Sequence, residues 1–133
     1  MKKIIVTALL FVLCIPCFSD EGETEIYCEA MQIMTYRRIT RTEYTNYGFY
    51  IDDNNKMLYY APGHTSIGGD VVRFDENAIS INNIKSPLGL IGELNINRKS
   101  GAFSFDDREN RTLIPVIIRR TGSCSKVSAQ NKF

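Results

Sequence analysis

Apolar residues in this chain come in short alternating runs, and each run ends in a cluster of Asp, Asn, Gly or Ser. A period of two puts every second side chain on one face, which suits a half-buried strand rather than a helix. Phe49 and Ile51 alternate ahead of Asp52-Asp53-Asn54-Asn55-Lys56, and Met57-Leu58-Tyr59-Tyr60 follows. Asp and Asn bond their own turn and tolerate left-handed backbone, so Tyr47 to Ala61 is expected to be a hairpin. Val72 and Phe74 are expected to face one way before Asp75-Glu76-Asn77, with Ile79 and Ile81 returning. That makes a second hairpin over Val71 to Ile81. Leu90, Leu94 and Ile96 share a face before Arg98-Lys99-Ser100-Gly101, and Phe103 and Phe105 return. Gly101 suits the left-handed position that closes a short hairpin loop. A last strand, Leu113 to Arg120, leads into Thr121-Gly122-Ser123-Cys124.

Two stretches are less regular. Glu25 to Thr45 mixes Tyr, Ile and Thr, which favour strand, with Glu, Ala, Met and Arg, which favour helix. Strand is the preferred reading. Asn82 to Gly89 contains Pro87 and Gly89 and reads as a loop between hairpins. About seven or eight strands joined in sequence predict an all-β fold. The expected form is a small antiparallel meander, either a closed barrel or a curled sheet, because closure removes exposed edges. No repeat or linker divides the chain, and its length suits a single domain.

Ahead of this domain the sequence predicts a signal helix over residues 1–19. Lys2 and Lys3 precede an uncharged apolar run, Ile4 to Phe18, and Ser19 is followed by Asp20-Glu21-Gly22-Glu23. A charged start, an apolar stretch and a small residue make a secretory leader. Cleavage is expected after Ser19, with Cys17 at the −3 position and Pro16 breaking the helix just upstream. A permanent anchor would want roughly twenty apolar residues. A lipid-modified Cys normally follows a small residue, whereas Leu13 precedes Cys14 and Pro16 precedes Cys17. The chain is therefore expected to be periplasmic or secreted, with no membrane span after cleavage. The working domain is expected over 20–124, with a frayed tail over 125–133.

Removing Lys2 and Lys3 turns a formal charge of +1 into −1. Such a near-neutral domain has no basic patch for nucleic acid and no polybasic segment for an anionic membrane. Two of the four cysteines leave with the leader, and Cys28 and Cys124 remain. Two cysteines in an oxidising compartment usually pair. Free thiols or an intermolecular bond are the alternatives.

Few residues are arranged for catalysis. His64 is the single histidine and sits in a loop by composition, Ala61-Pro62-Gly63-His64-Thr65-Ser66. A metal site wants several ligands at suitable spacing, and a nucleophile wants a base. Asp52-Asp53 and Asp106-Asp107 lack the alternating ligands and closing Glu of a calcium loop. Asn110-Arg111-Thr112 matches a glycosylation acceptor and is read as chance. We therefore expect no enzyme and no cofactor.

One skew stands out. All seven tyrosines lie between Tyr27 and Tyr60, with Arg37, Arg38 and Arg41 among them. Tyrosine and arginine together suit a binding surface, while strand propensity alone accounts for much of the enrichment. The candidate binding face is Tyr36, Arg38, Tyr44, Tyr47, Tyr50 and Tyr59.

Short motifs carry two resemblances. Tyr27-Cys28, the segment Leu94 to Phe103 (LNINRKSGAF), the closing Gly122-Ser123-Cys124 and the terminal Phe133 resemble small exported proteobacterial proteins to which no activity is assigned. That resemblance implies export and a Cys28–Cys124 bond, and it implies no reaction. Ser100-Gly101-Ala102 is similar to the Ser-Gly loop of periplasmic inhibitors of c-type lysozyme. Those are small disulfide-closed β-barrels that place the loop in the lysozyme cleft, and the likeness makes Ser100 and Gly101 candidate contacts. The expected function is a non-enzymatic binding or inhibitor-like module acting on a protein or an envelope ligand. The alternative is a structural or stress-related envelope protein.

Overall fold

The computed structural model describes residues 23–87, 89–109 and 116–127. The leader, the glycosylation pattern at Asn110, the start of the last predicted strand at Leu113 and Phe133 lie outside the described residues. Among these residues nine antiparallel strands make one curled, half-barrel sheet. They are β1 (Glu23–Tyr36), β2 (Ile39–Asp52), β3 (Met57–Tyr60), β4 (Thr65–Ser66), β5 (Asp70–Phe74), β6 (Ala78–Lys85), β7 (Ile91–Asn97), β8 (Ala102–Arg108) and β9 (Ile117–Lys126). The order across the sheet is β4-β3-β2-β1-β9-β8-β7-β6-β5. Every strand thus pairs with its neighbour in sequence except β4 with β5, and β1 pairs with β9. This is a meander bent round until its ends meet, with the ring left open between β4 and β5.

The ambiguous stretch is strand throughout. Its alternation is regular: Ile26, Cys28, Ala30 and Gln32 are buried, while Tyr27, Glu29, Met31 and Ile33 are exposed. A helix would have put Ile26 and Ile33 on one face. The three predicted hairpins are present as β2–β3, β5–β6 and β7–β8. Some details depart from expectation. A bulge between Val71 and Arg73 leaves Val72 62% exposed while Phe74 is buried, so these two do not share a face. A bulge re-aims the residues beside it. A second one between Ile81 and Ile84, with Asn83 at φ 57°, lets β6 continue to Lys85. The loop predicted from Asn82 therefore starts only after Lys85, four residues later than the turn composition suggests. The last strand runs on past Cys124 to Lys126, and Val127 N donates to Glu25 O at 3.0 Å.

Inward residues of both halves of the ring make one core. Phe49, Leu58, Ile79, Ile81 and Leu94 are almost fully buried, and Ile26, Phe74, Ile96, Phe103 and Phe105 join them. Burying each such side chain contributes about 1.5–3 kcal/mol. Tyr47 packs on this core from its edge, stacked on Phe49 at 5.8 Å and tilted against Phe103 and Phe105.

The β1–β9 pairing closes the meander. Cys28 lies directly opposite Cys124, and the two form a disulfide. Two residues on, Gly122 faces Ala30, and a Cβ at Gly122 would collide with the backbone of Glu29 and Ala30. Glycine is what allows the strands to approach this closely.

Candidate functional site

The molecule has two unlike ends. At the lower end lie the turns after β2, β5 and β7. Asp52 holds its turn through Asn55, whose N and Nδ2 donate to the two carboxylate oxygens. Those bonds keep the Asp52 carboxyl below the usual range. Arg98 donates to both Asp53 oxygens at 2.6 and 2.9 Å and to Asp75 O at 3.0 Å. Lys56 Nζ donates to Phe74 O. Side chains thus tie the β2–β3 turn to the turns on the other side of the open ring.

At the upper end the β1–β2 hairpin continues as an arm. β3 pairs only with Phe49 to Asp52 of β2. From Ile39 to Asn46 the outer edge of β2 therefore has no partner strand among the described residues. Among the described residues nine large apolar side chains are exposed, and six of them lie on this hairpin: Tyr27, Met31, Ile33 and Tyr44 on its outer face, and Tyr36 and Ile39 at its tip on the other face. Tyr44 is 82% exposed. Register places Met31 beside Tyr44 and Ile33 beside Thr42 on the outer face.

The six residues of the candidate binding face are divided by that same register. Tyr47 turns inward to the core. Tyr44, Tyr50 and Tyr59 share the outer face, Tyr50 paired with Tyr59. Tyr36 and Arg38 sit at the tip, where Arg37 stacks on the Tyr36 ring at 5.2 Å. Tyr27, Met31 and Ile33 complete the outer face, and the tyrosine count alone did not select the two aliphatic ones. Alternation from Cys28 selects them, since every odd residue of β1 must point away from the disulfide.

His64 stacks on Tyr59 at 4.2 Å between ring centroids, and Tyr50 lies beside it at 5.3 Å. Its Nε2 is 3.3 Å from Glu23 Oε1. It is the last residue of a short 3-10 turn, Pro62–His64. The histidine has a carboxylate neighbour, yet it sits half exposed on the outer face and does not line the cleft described below.

Inside the ring, a polar cluster closes the core towards the upper end. Arg120 donates to Gln32 Oε1 at 2.8 Å, to Asp107 Oδ2 at 2.9 Å and to Phe105 O. Gln32 in turn donates to Glu43 Oε2. The Arg120 guanidinium lies over the Phe105 ring at 5.0 Å. Burial pushes the nearby Tyr60 hydroxyl above its ordinary pKa, with Tyr47 and Asp107 adding to the effect. Here a buried charge is paired and hydrogen-bonded on several sides, which is the condition for tolerating it. Composition gave no sign of this cluster, because pairing across strands assembles it from distant residues.

Ser100 and Gly101 are used by their own turn. Asn97 Oδ1 accepts from Lys99 N and Ser100 N, and Ser100 Oγ accepts from Ala102 N. Gly101 has φ 84°, and a Cβ there would lie 2.5 Å from Cys124 O. Its glycine is explained by that close approach. Ser100 is exposed at the lower end, away from the arm.

A cleft of about 450 Å³ at the upper rim is lined by Gly92, Glu93, Asp106, Asp107 and Arg119 among others. Among the described residues no group of three His, Cys, Asp or Glu side chains is placed to hold a metal ion. No helix among them is long and apolar enough to cross a membrane. Comparisons with protein-family models, curated proteins and solved structures gave no match.

Proposed function

We propose that this chain is an exported, non-enzymatic binding module whose working surface is the outer face of the β1–β2 hairpin, and that its ligand is a protein. One observation supports this above the others: of the nine large apolar side chains exposed among the described residues, six fall on one hairpin, and four of these, Tyr27, Met31, Ile33 and Tyr44, share its outer face. Scattered exposed apolar residues need no explanation, whereas a contiguous set marks an interaction surface. Tyr, Met and Arg are the residues enriched where proteins meet. Tyr44, Met31 and Ile33 would supply the apolar centre, with Arg38 and Arg119 as polar flank. The disulfide supports export, since such bonds persist in oxidising compartments.

Site-specific photo-crosslinking in cells tests the reading. A crosslinker at Ile33, in the middle of the outer face, is expected to capture one discrete partner. The same group at Arg73, on the far side of the ring, is expected to capture none. Equal capture at both positions, or none at Ile33, contradicts the proposal.

A further inference from the structure

Backbone direction alternates along a strand of an antiparallel pair, and on β2 the alternation can be assigned. Gly48 O accepts from Ala61 N on the β3 side. Even-numbered residues of β2 therefore point their N–H and C=O away from β1. Above Gly48 these groups belong to Asn46, Tyr44, Thr42 and Thr40, all beyond the reach of β3. Such an edge is a template for another strand.

The strands at the two ends of the sheet are protected. β4 has two residues, and β5 is five residues long with a bulge in it. Short strands and bulges are the usual devices against edge pairing. The upper edge of β2 has neither. Its pairing with β1 is continuous from Ile39 to Asp52, and no proline or lysine interrupts Ile39 to Asn46.

The sequence on this edge is complementary to itself. In an antiparallel pairing centred on Thr42, Arg41 of each copy faces Glu43 of the other. Thr40 faces Tyr44, and Ile39 faces Thr45. The hydrogen-bonded positions of this register are Thr40 with Tyr44 and Thr42 with its own counterpart, which are the groups that point outward. Cross-strand opposite charges stabilise and like charges oppose a pairing. Centring on Arg41 or Glu43 instead would bring like charges face to face. Arg41 makes no ion pair among the described residues.

We infer that the upper edge of β2 pairs with the same edge of a second copy, joining two half-barrels into one continuous sheet about a two-fold axis. The inference stands on unpaired backbone and strand charge, independent of the outer-face binding reading. The pairing leaves Met31 and Ile33 on the outer face free.

Sedimentation velocity of the purified protein tests it. A monomer–dimer shift is expected between about 1 and about 300 µM, as suits an interface smaller than about 1,200 Å². Arg41→Glu alone and Glu43→Arg alone each put like charges opposite in the dimer, and each is expected to weaken it by about tenfold or more. Mixing the two variants restores both opposite-charge pairs, so the mixture is expected to form a heterodimer within about threefold of the original affinity. A wild-type protein that stays monomeric across the range overturns the inference. So do single variants that dimerise as well as wild type, or a mixture that gains nothing over its components. Crosslinking at Ile33 to another protein would be unaffected by any of these results.

Discussion

One strand, β2, passes through two environments. Its lower half, Phe49 to Asp52, has strands on both sides and a core beneath; Phe49 and Ile51 are 0% and 2% exposed. Its upper half, Ile39 to Asn46, has β1 on one side and nothing described on the other; Ile39 is 64% exposed. Propensity does not separate the halves, since both are rich in aromatic and β-branched residues. What separates them is where neighbouring strands end. The lower half serves stability, and the upper half presents apolar groups that the fold itself does not use.

Breaking the closure of the lower body gives the largest effect. Replacing Cys28 and Cys124 together with Ser opens a loop with a sequence separation of 96. The chain-entropy model puts the loss at about 4–5 kcal/mol. Urea midpoints of the two proteins measure it, and the arm's surface is expected to be unchanged.

Next comes a matched pair on β2. Phe49→Ala removes a fully buried ring and is expected to cost about 3–5 kcal/mol. Tyr44→Ala, five residues away, is expected to change stability by less than about 0.5 kcal/mol. Comparable losses at both positions would erase the division drawn here. At the inner edge of the core, Arg120→Ala strands the buried Asp107 carboxylate and is expected to cost about 3–5 kcal/mol. The same denaturation curves report it.

The smallest effect sharpens the account of the lower rim. Asp75 accepts from Arg73 Nε and from the Asn77 and Ala78 amides, which lower its pKa from 3.8 to about 2. A carboxyl depressed in the folded state stabilises above its unfolded pKa, and the contribution is lost as pH falls through the folded value. Stability should therefore decline from about pH 4 towards about pH 2 more steeply in wild type than in Asp75→Asn. Thermal melts at stepped pH compare the two, and parallel curves would contradict the assignment.

Much of this architecture was legible before the structure. Alternation of Phe49 with Ile51 and of Phe103 with Phe105, broken by Asp-, Asn- or Gly-containing turns, marks hairpins. The bulges at Val71 and Asn83 were not legible, because a bulge is a relation between two strands and leaves no pattern in one. The Arg120–Asp107–Gln32 cluster escaped for the same reason. Asp107 continues the inward series of Phe103 and Phe105, and Arg120 lies two residues after the buried Ile118. Register then brings both beside Gln32. The arm was legible in part: tyrosine content pointed to the right segment, but only pairing shows which rings face out and that the edge of β2 runs past the end of β3.

Amide hydrogen exchange along β2, measured in dilute solution, tests the division most directly. The amides of Phe49, Tyr50 and Ile51 are expected to exchange about 100-fold or more slowly than those of the free edge. Above Gly48 protection is expected to alternate. Arg41, Glu43 and Thr45 bond towards β1 and are retarded, while Thr40, Thr42 and Tyr44 point outward and exchange near the unprotected rate. Uniform protection from Ile39 to Asp52, or equal protection of odd and even residues above Gly48, would contradict the account.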